Sequence, residues 1–132
     1  MVYLTLQHQS FKSIQMNVDI KENSEIELES TFSFGISYND DNTACIAELK
    51  QVLQHKNNPE ELSISVEERG RFLCEGVNSD ETKREAHVMA YTQLFPYIQS
   101  LISRLTVDAG LPPLMINMEK LNPADIEVSN NT

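Results

Sequence analysis

The chain has 132 residues, with 20 acidic against 10 basic side chains and a formal net charge of −10. Such a surface repels phosphate backbones, which argues against nucleic acid and anionic membranes as partners and favours partners with basic segments. The length suits one domain with a single core, so the expectation is one domain over residues 1–132, with 124–132 a disordered tail. No apolar run approaches the roughly 18 to 20 residues of a membrane span. The opening MVYLTLQHQ has neither a basic n-region nor a long apolar h-region, so no signal peptide and no membrane insertion are expected, and the cytoplasm is the expected location.

In chain order, Val2, Leu4 and Leu6 alternate with polar neighbours, and after Phe11 the alternation resets at Ile14, Met16, Val18 and Ile20. This predicts a long first strand with a bulge near 8–11. Lys21 to Ser24 reads as a polar turn. Ile26, Leu28, Phe32, Phe34, Ile36 and Tyr38 then share even positions, interrupted only by Ser30. That period of two predicts an antiparallel strand with one buried and one wet face. Asn39-Asp40-Asp41-Asn42 predicts a hairpin turn.

Residues 43–53 are ambiguous. Cys45, Ile46, Leu49, Val52 and Leu53 fit a helical face, whereas Cys45, Ala47, Leu49 and Leu53 share one side of a strand. Residues 54–59 read as a loop, and Leu62, Ile64 and Val66 alternate as a further strand, with Gly70 marking a bulge or bend. Ala86, Met89, Ala90, Leu94, Tyr97, Ile98, Leu101, Ile102 and Leu105 then trace one face of a long helix. Ser79 is its N-cap, Asp80 and Glu81 fill its first turn, and Gly110 with Pro112 and Pro113 stops it. Pro96 lies inside, and the apolar face keeps its phase across it, so one long bent helix is expected. The residues before the prolines are extended. The predicted class is α+β: a four-stranded antiparallel sheet, one helix on one face and an extended tail. The chain carries more apolar stripe than one such domain hides, and the surplus predicts an oligomer interface or a binding groove.

No GxGxxG, GxxxxGK[ST], HExxH, GxSxG or CxxC occurs. Cys45 and Cys74 lack a second ligand at metal spacing; they read as small core residues, with a disulfide as the alternative. His8, His55 and His87 are scattered. Glu67 and Glu68, adjacent on a strand, point to opposite faces and cannot act as a carboxylate pair, so a solvated charge cluster is expected. Catalysis is not supported, and no cofactor or metal is expected.

Two segments resemble a known family. LFPYIQSLISRLTVDAGLPPLMI, from Leu94 to Ile116, is similar to the SecB chaperones, which carry an LFPY-type element in their long helix before a proline-containing extended segment. Its LPPL step looks especially like the divergent SecB-like chaperones that accompany some toxin–antitoxin systems. ISVEERGRF, from Ile64 to Phe72, sits where that family has a strand with a glycine-bearing bend. The N-terminal half agrees only in strand order and spacing, and this agreement favours a strand over 43–53.

The resemblance implies a homotetramer built as a dimer of dimers, with helices packed between dimers. It also implies an ATP-independent holdase that binds unfolded polypeptides or preproteins in apolar grooves and hands them to the SecA motor. The family's acidic docking positions align near Ser13, Asn17 and Ser65, none acidic; Glu27 and Glu29 offer a different acidic patch. The expected client groove comprises Ile14, Met16, Ile26, Leu28, Phe32, Leu111, Leu114, Met115 and Met118, where flexible methionines suit varied clients. Tyr97, Leu101 and Leu105 are expected at the oligomer interface. A dedicated chaperone for one partner such as an antitoxin, and a non-chaperone adaptor, are the alternative functions.

Overall fold

The computed structural model describes residues 1–21, 25–126 and 128. Four antiparallel strands, β1 (Tyr3–Val18), β2 (Leu28–Tyr38), β3 (Ala44–His55) and β4 (Leu62–Glu75), precede one helix, α1 (Asp80–Asp108). A short 3-10 turn, Pro123–Asp125, follows the helix. The sheet order is β1-β4-β3-β2, which puts β1 and β2 at opposite edges. The expected α+β architecture is the one observed. The expected polar turn over 21–24 falls mostly on residues 22–24, outside the described residues. So does most of the expected disordered tail, at 127 and 129–132; the first residues of that tail instead form the 3-10 turn against α1.

The ambiguous stretch 43–53 is strand. Cys45, Ala47, Leu49, Gln51, Leu53 and His55 all turn to the buried side of β3, flanked by β2 and β4. Helix-forming residues there are overruled by ladder bonding on both sides. The β2–β3 hairpin closes on Asn39, whose Oδ1 accepts from the amides of Thr43 at 2.9 Å and Ala44 at 3.0 Å. Asn42 takes the left-handed conformation (φ 57°) that such turns require.

The bulges lie on β1, not at Gly70. The β1–β4 register slips between Leu6 and His8 and again between Phe11 and Ser13. Each slip inserts one residue, so Leu4, Leu6, Gln9, Phe11, Ile14 and Met16 all keep to the helix side despite their mixed parity. Gly70 pairs regularly with Gln9 and Ala47. Its role is close approach, because a Cβ there would meet Leu94 Cδ2 at 2.6 Å.

Helix α1 begins with a capping box in which Thr82 replaces the usual Glu or Gln. Ser79 Oγ accepts from the Thr82 amide at 3.2 Å, and Thr82 Oγ1 accepts from the Ser79 amide at 2.9 Å. Gly110, at φ +83°, follows the Ala109 C-cap. The buried stripe comprises Ala86, Ala90, Tyr91, Leu94, Phe95, Ile98, Leu101, Ile102 and Thr106. It is turned toward Tyr91 and Phe95 relative to the expected face, and Tyr97 stands 45% exposed outside it. Leu101, only 5% exposed, packs in the chain's own core, and Leu105 is half-buried against that core. Of the three expected interface residues, Tyr97 alone is freely exposed.

Glu68 departs from the solvated reading. It is 1% exposed on the helix side of β4, where Gln9 Nε2 donates to its Oε2 at 2.8 Å and its Oε1 has no partner. Burial pushes its carboxyl up to about 7. Glu67, on the other face, makes a 3.9 Å ion pair with Lys50. His55 and Glu61 form a buried pair at 3.4 Å.

Candidate functional site

The segment after Gly110 doubles back along α1. Pro112 and Pro113 cannot continue the helix and hold their predecessors extended. The segment is then tied to the helix at descending positions. Leu111 N–H donates to the Thr106 carbonyl at 2.9 Å, and Leu114 N–H to Thr106 Oγ1 at 3.0 Å. Gln99 Nε2 donates to the Ile116 carbonyl at 2.7 Å, and Glu119 N–H to the Tyr91 hydroxyl at 3.0 Å. Arg84 Nε completes the series on the Ile126 carbonyl at 3.0 Å. Side chains alternate over residues 114–117 only. Ile116 is buried and Leu114 half-buried, while Met115 is 64% exposed and Met118 47% exposed.

This return segment lies beside the outer half of the sheet's helix face, where β2 is only partly covered. Phe32, Phe34, Ile36 and Tyr38 are half-buried and Leu28 is exposed. The floor is aromatic: Tyr91 lies 5.3 Å from Phe32 and 5.6 Å from Phe34 between ring centroids, and 5.8 Å from Phe95. His87 meets Phe34 edge-on at 4.8 Å, and Lys83 Nζ sits 5.3 Å from the Tyr38 ring centre. Burial pushes the His87 imidazole below its ordinary value, which keeps it uncharged near neutrality.

Two cavities open along this line. One, about 250 Å³, is lined by Leu28, Ser30, Leu53, Leu114, Met115, Ile116, Asn117 and Glu119. The other, about 210 Å³, is lined by Phe34, Gly35, Ile36, Tyr38, Lys83, His87, Ile126 and Val128. A groove with an aromatic floor and walls of mixed apolar and polar side chains can take side chains from an extended chain. A larger hollow of about 820 Å³ lies at one end of the sheet, around His8, Ile46, Arg71 and Leu73. Its walls come from strand and turn residues alone, without the helix or the return segment.

The structure brings together Leu28, Leu114 and Met115 around one cavity, with Phe32 on the floor beside them. Met118 lies further along the return segment, Leu111 is half-buried at the helix end, and Ile26 is half-buried just before β2. Ile14 and Met16 do not join this groove. They sit on β1, and β4 and β3 separate that edge from β2. Their alternation was legible, but strand order decides which edge they occupy. Phe34, Ile36, Tyr38, His87 and Tyr91 belong to the groove and were missed as site residues. The period-two face of β2 already contained the first three, and His87 and Tyr91 are four apart on the helix. Ser13, Asn17 and Ser65 lie along the β1–β4 pairing. Glu27 and Glu29 are exposed near the start of β2.

Among the described residues no group of three or more His, Cys, Asp or Glu is arranged to hold a metal ion, and no helix is long and apolar enough to cross a membrane.

A family model described as preprotein translocase subunit SecB matches residues 2–123. The protein-export proteins SecB of Anaplasma marginale, strains Florida and St. Maries, are each 39% identical over 64 residues. Those alignments cover 40% of this chain and 37% of each relative. Among solved structures, the fold is similar to a SecB-like chaperone of Mycobacterium tuberculosis, solved with a peptide from an antitoxin. The TM-score is 0.71 at 16% identity, over 90% of this chain and 92% of that one. It is also similar to a protein of unknown function from Streptococcus agalactiae, with a TM-score of 0.61 at 13% identity, over 89% and 98% of the two chains.

Proposed function

This chain belongs to the SecB family, and from that premise we propose that it is an ATP-independent chaperone holding unfolded polypeptides or preproteins for export in the groove between β2 and the return segment. The observation that carries this reading is the pair of cavities along β2, one walled by Leu28, Leu114 and Met115 and the other by Phe34, Ile36, Tyr38 and Ile126. At about 3.3 Å per residue, Leu28 to Ile36 spans roughly 26 Å, the length of an extended client segment of about eight residues. The cavities accept its apolar side chains. As an edge strand, β2 also offers unpaired backbone groups for hydrogen bonding to that segment. Such contacts read chain extension and hydrophobicity rather than sequence, as a holdase requires. The chain's net charge of −10 draws basic client stretches. Capture and release need no nucleotide, cofactor or metal, and the protein acts in the cytoplasm without catalysing a reaction.

The reading includes self-association as a homotetramer, a dimer of dimers. Exposed Tyr97 and Val107 on the helix and Ile14 and Val18 at the β1 edge are among the apolar side chains available for it. SecA docking through acidic side chains at Ser13, Asn17 and Ser65 has no support from their chemistry. Two nearby acids are also already neutralised, Glu48 by Lys12 at 3.1 Å and Arg69 at 3.6 Å, and Glu67 by Lys50. That favours a second reading, a chaperone dedicated to one partner such as an antitoxin.

The test is light scattering of a chemically unfolded, aggregation-prone preprotein diluted into buffer with and without the folded protein, no nucleotide added. Suppression near one oligomer per client supports the holdase. Suppression for one partner only supports the dedicated chaperone, and none at all leaves an adaptor.

A further inference from the structure

Cys45 is the second residue of β3 and Cys74 the last but one of β4, both buried on the helix side of the sheet and both free thiols. The register pairs Cys45 with Phe72, so Cys74 is its diagonal neighbour. Diagonal neighbours usually stand further apart than opposed ones. Here the two sulphurs nevertheless lie 3.3 Å apart. The Cys74 amide donates to the Thr43 carbonyl at 2.8 Å, which holds the strand ends in this alignment. The neighbouring Tyr38 hydroxyl is buried without a hydrogen-bond partner, so no bond to it holds the sulphurs back. An S–S bond is about 2.04 Å, so bonding needs the sulphurs to close by roughly 1.3 Å. Strand ends can supply that movement: Gly76, in a left-handed conformation (φ +80°), lies two residues after Cys74, and the 39–43 turn precedes Cys45.

We infer that Cys45 and Cys74 form a dithiol–disulfide site that exchanges with a small-molecule disulfide such as glutathione disulfide. One thiol loses its proton and attacks the small disulfide, whose S–S bond breaks to give a mixed disulfide and one released thiolate. The second cysteine, as thiolate, attacks the protein sulphur of that mixed disulfide and releases the other small thiolate. The two protons pass to the two released thiols. The protein loses two electrons and two protons, and the small disulfide gains both. Burial pushes both thiols above their ordinary values. Exchange therefore waits on opening of the strand ends and is slow, but its equilibrium does not depend on that route.

The experiment equilibrates the full chain in glutathione buffers of graded oxidised-to-reduced ratio, in native buffer and in concentrated urea. Alkylation followed by mass measurement counts the species. The expected result is an intramolecular disulfide, two hydrogens lighter, whose formation constant is at least about tenfold larger in the native chain than in the denatured one. A native constant equal to or below the denatured one overturns the inference, because the fold then does nothing to present the pair. Glutathione adducts or chain-to-chain disulfides as the main native products overturn it as well.

Discussion

A Cβ at Gly70 would stand 2.6 Å from Leu94 Cδ2 and 3.0 Å from Phe72 Cε2. Leu94 and Phe72 are themselves buried, so neither can swing away. Helix α1 thus reaches the sheet at a position only glycine can occupy. Gly70→Ala should cost about 1–3 kcal/mol through overpacking, read as a lower denaturation midpoint at unchanged slope. Gly35→Ala is the control: a Cβ there meets nothing within 4 Å, and its stability should hold or rise slightly. Equal effects at both sites would refute the close-approach account.

Glu68 gives a pH dependence of definite sign. Its folded carboxyl lies near 7, above the ordinary 4.5, so the folded chain holds the proton more tightly than the unfolded one. The contribution is fully present below about pH 4.5 and is lost as pH rises through 7, a change of about 3 kcal/mol. Glu68→Gln keeps the shape and removes the titration. The stability difference between wild type and variant, followed by urea titration, should fall steadily from pH 4.5 to 7 and level off above. A difference independent of pH would mean that Glu68 is not held protonated.

The groove assignment separates two methionine- and isoleucine-bearing surfaces. Met115→Asp should weaken capture of an unfolded client about tenfold, the equivalent of one lost apolar contact, without moving the melting transition. Leu114→Asp should weaken capture as well, with a lower melting midpoint because Leu114 also packs against the core. Ile14→Asp, on the opposite sheet edge, should leave client affinity unchanged. The reverse pattern, with Ile14 sensitive and Met115 silent in binding titrations, would move the groove to the β1 edge.

Thr106 holds the return segment in place. It is fully buried, accepts from the Leu114 amide and donates to the Ser103 carbonyl at 2.9 Å. Thr106→Val leaves the Leu114 amide without its partner and should cost about 1–3 kcal/mol. Hydrogen exchange should quicken at Leu114 more than at the β3 and β4 amides. Uniform acceleration across the chain would show global destabilisation instead of a loosened segment.

What the sequence determined was local. The period of two along 26–38, the helical face from 86 to 105, the Ser79 cap, the Gly110 stop and the two prolines each depend on neighbours within a few residues. Element type and order, the fold class and the family resemblance all follow from them. Residues 43–53 show the limit, because side-chain period there suits either structure and pairing on both flanks decides for strand.

What only the tertiary structure decided depends on which elements meet. The strand order sends Ile14 and Met16 to one edge and Leu28 to the other, although all alternate alike in sequence. The same order makes neighbours of Cys45 and Cys74. The one-residue slip in β1 between Leu6 and His8 turns Gln9 inward to the buried Glu68, which would otherwise read as one more surface acid. Gly70 looks like a bend in sequence and serves as a seat for Leu94 in the fold. Burial and contact are properties of the assembled layers, and no window along the chain contains both partners.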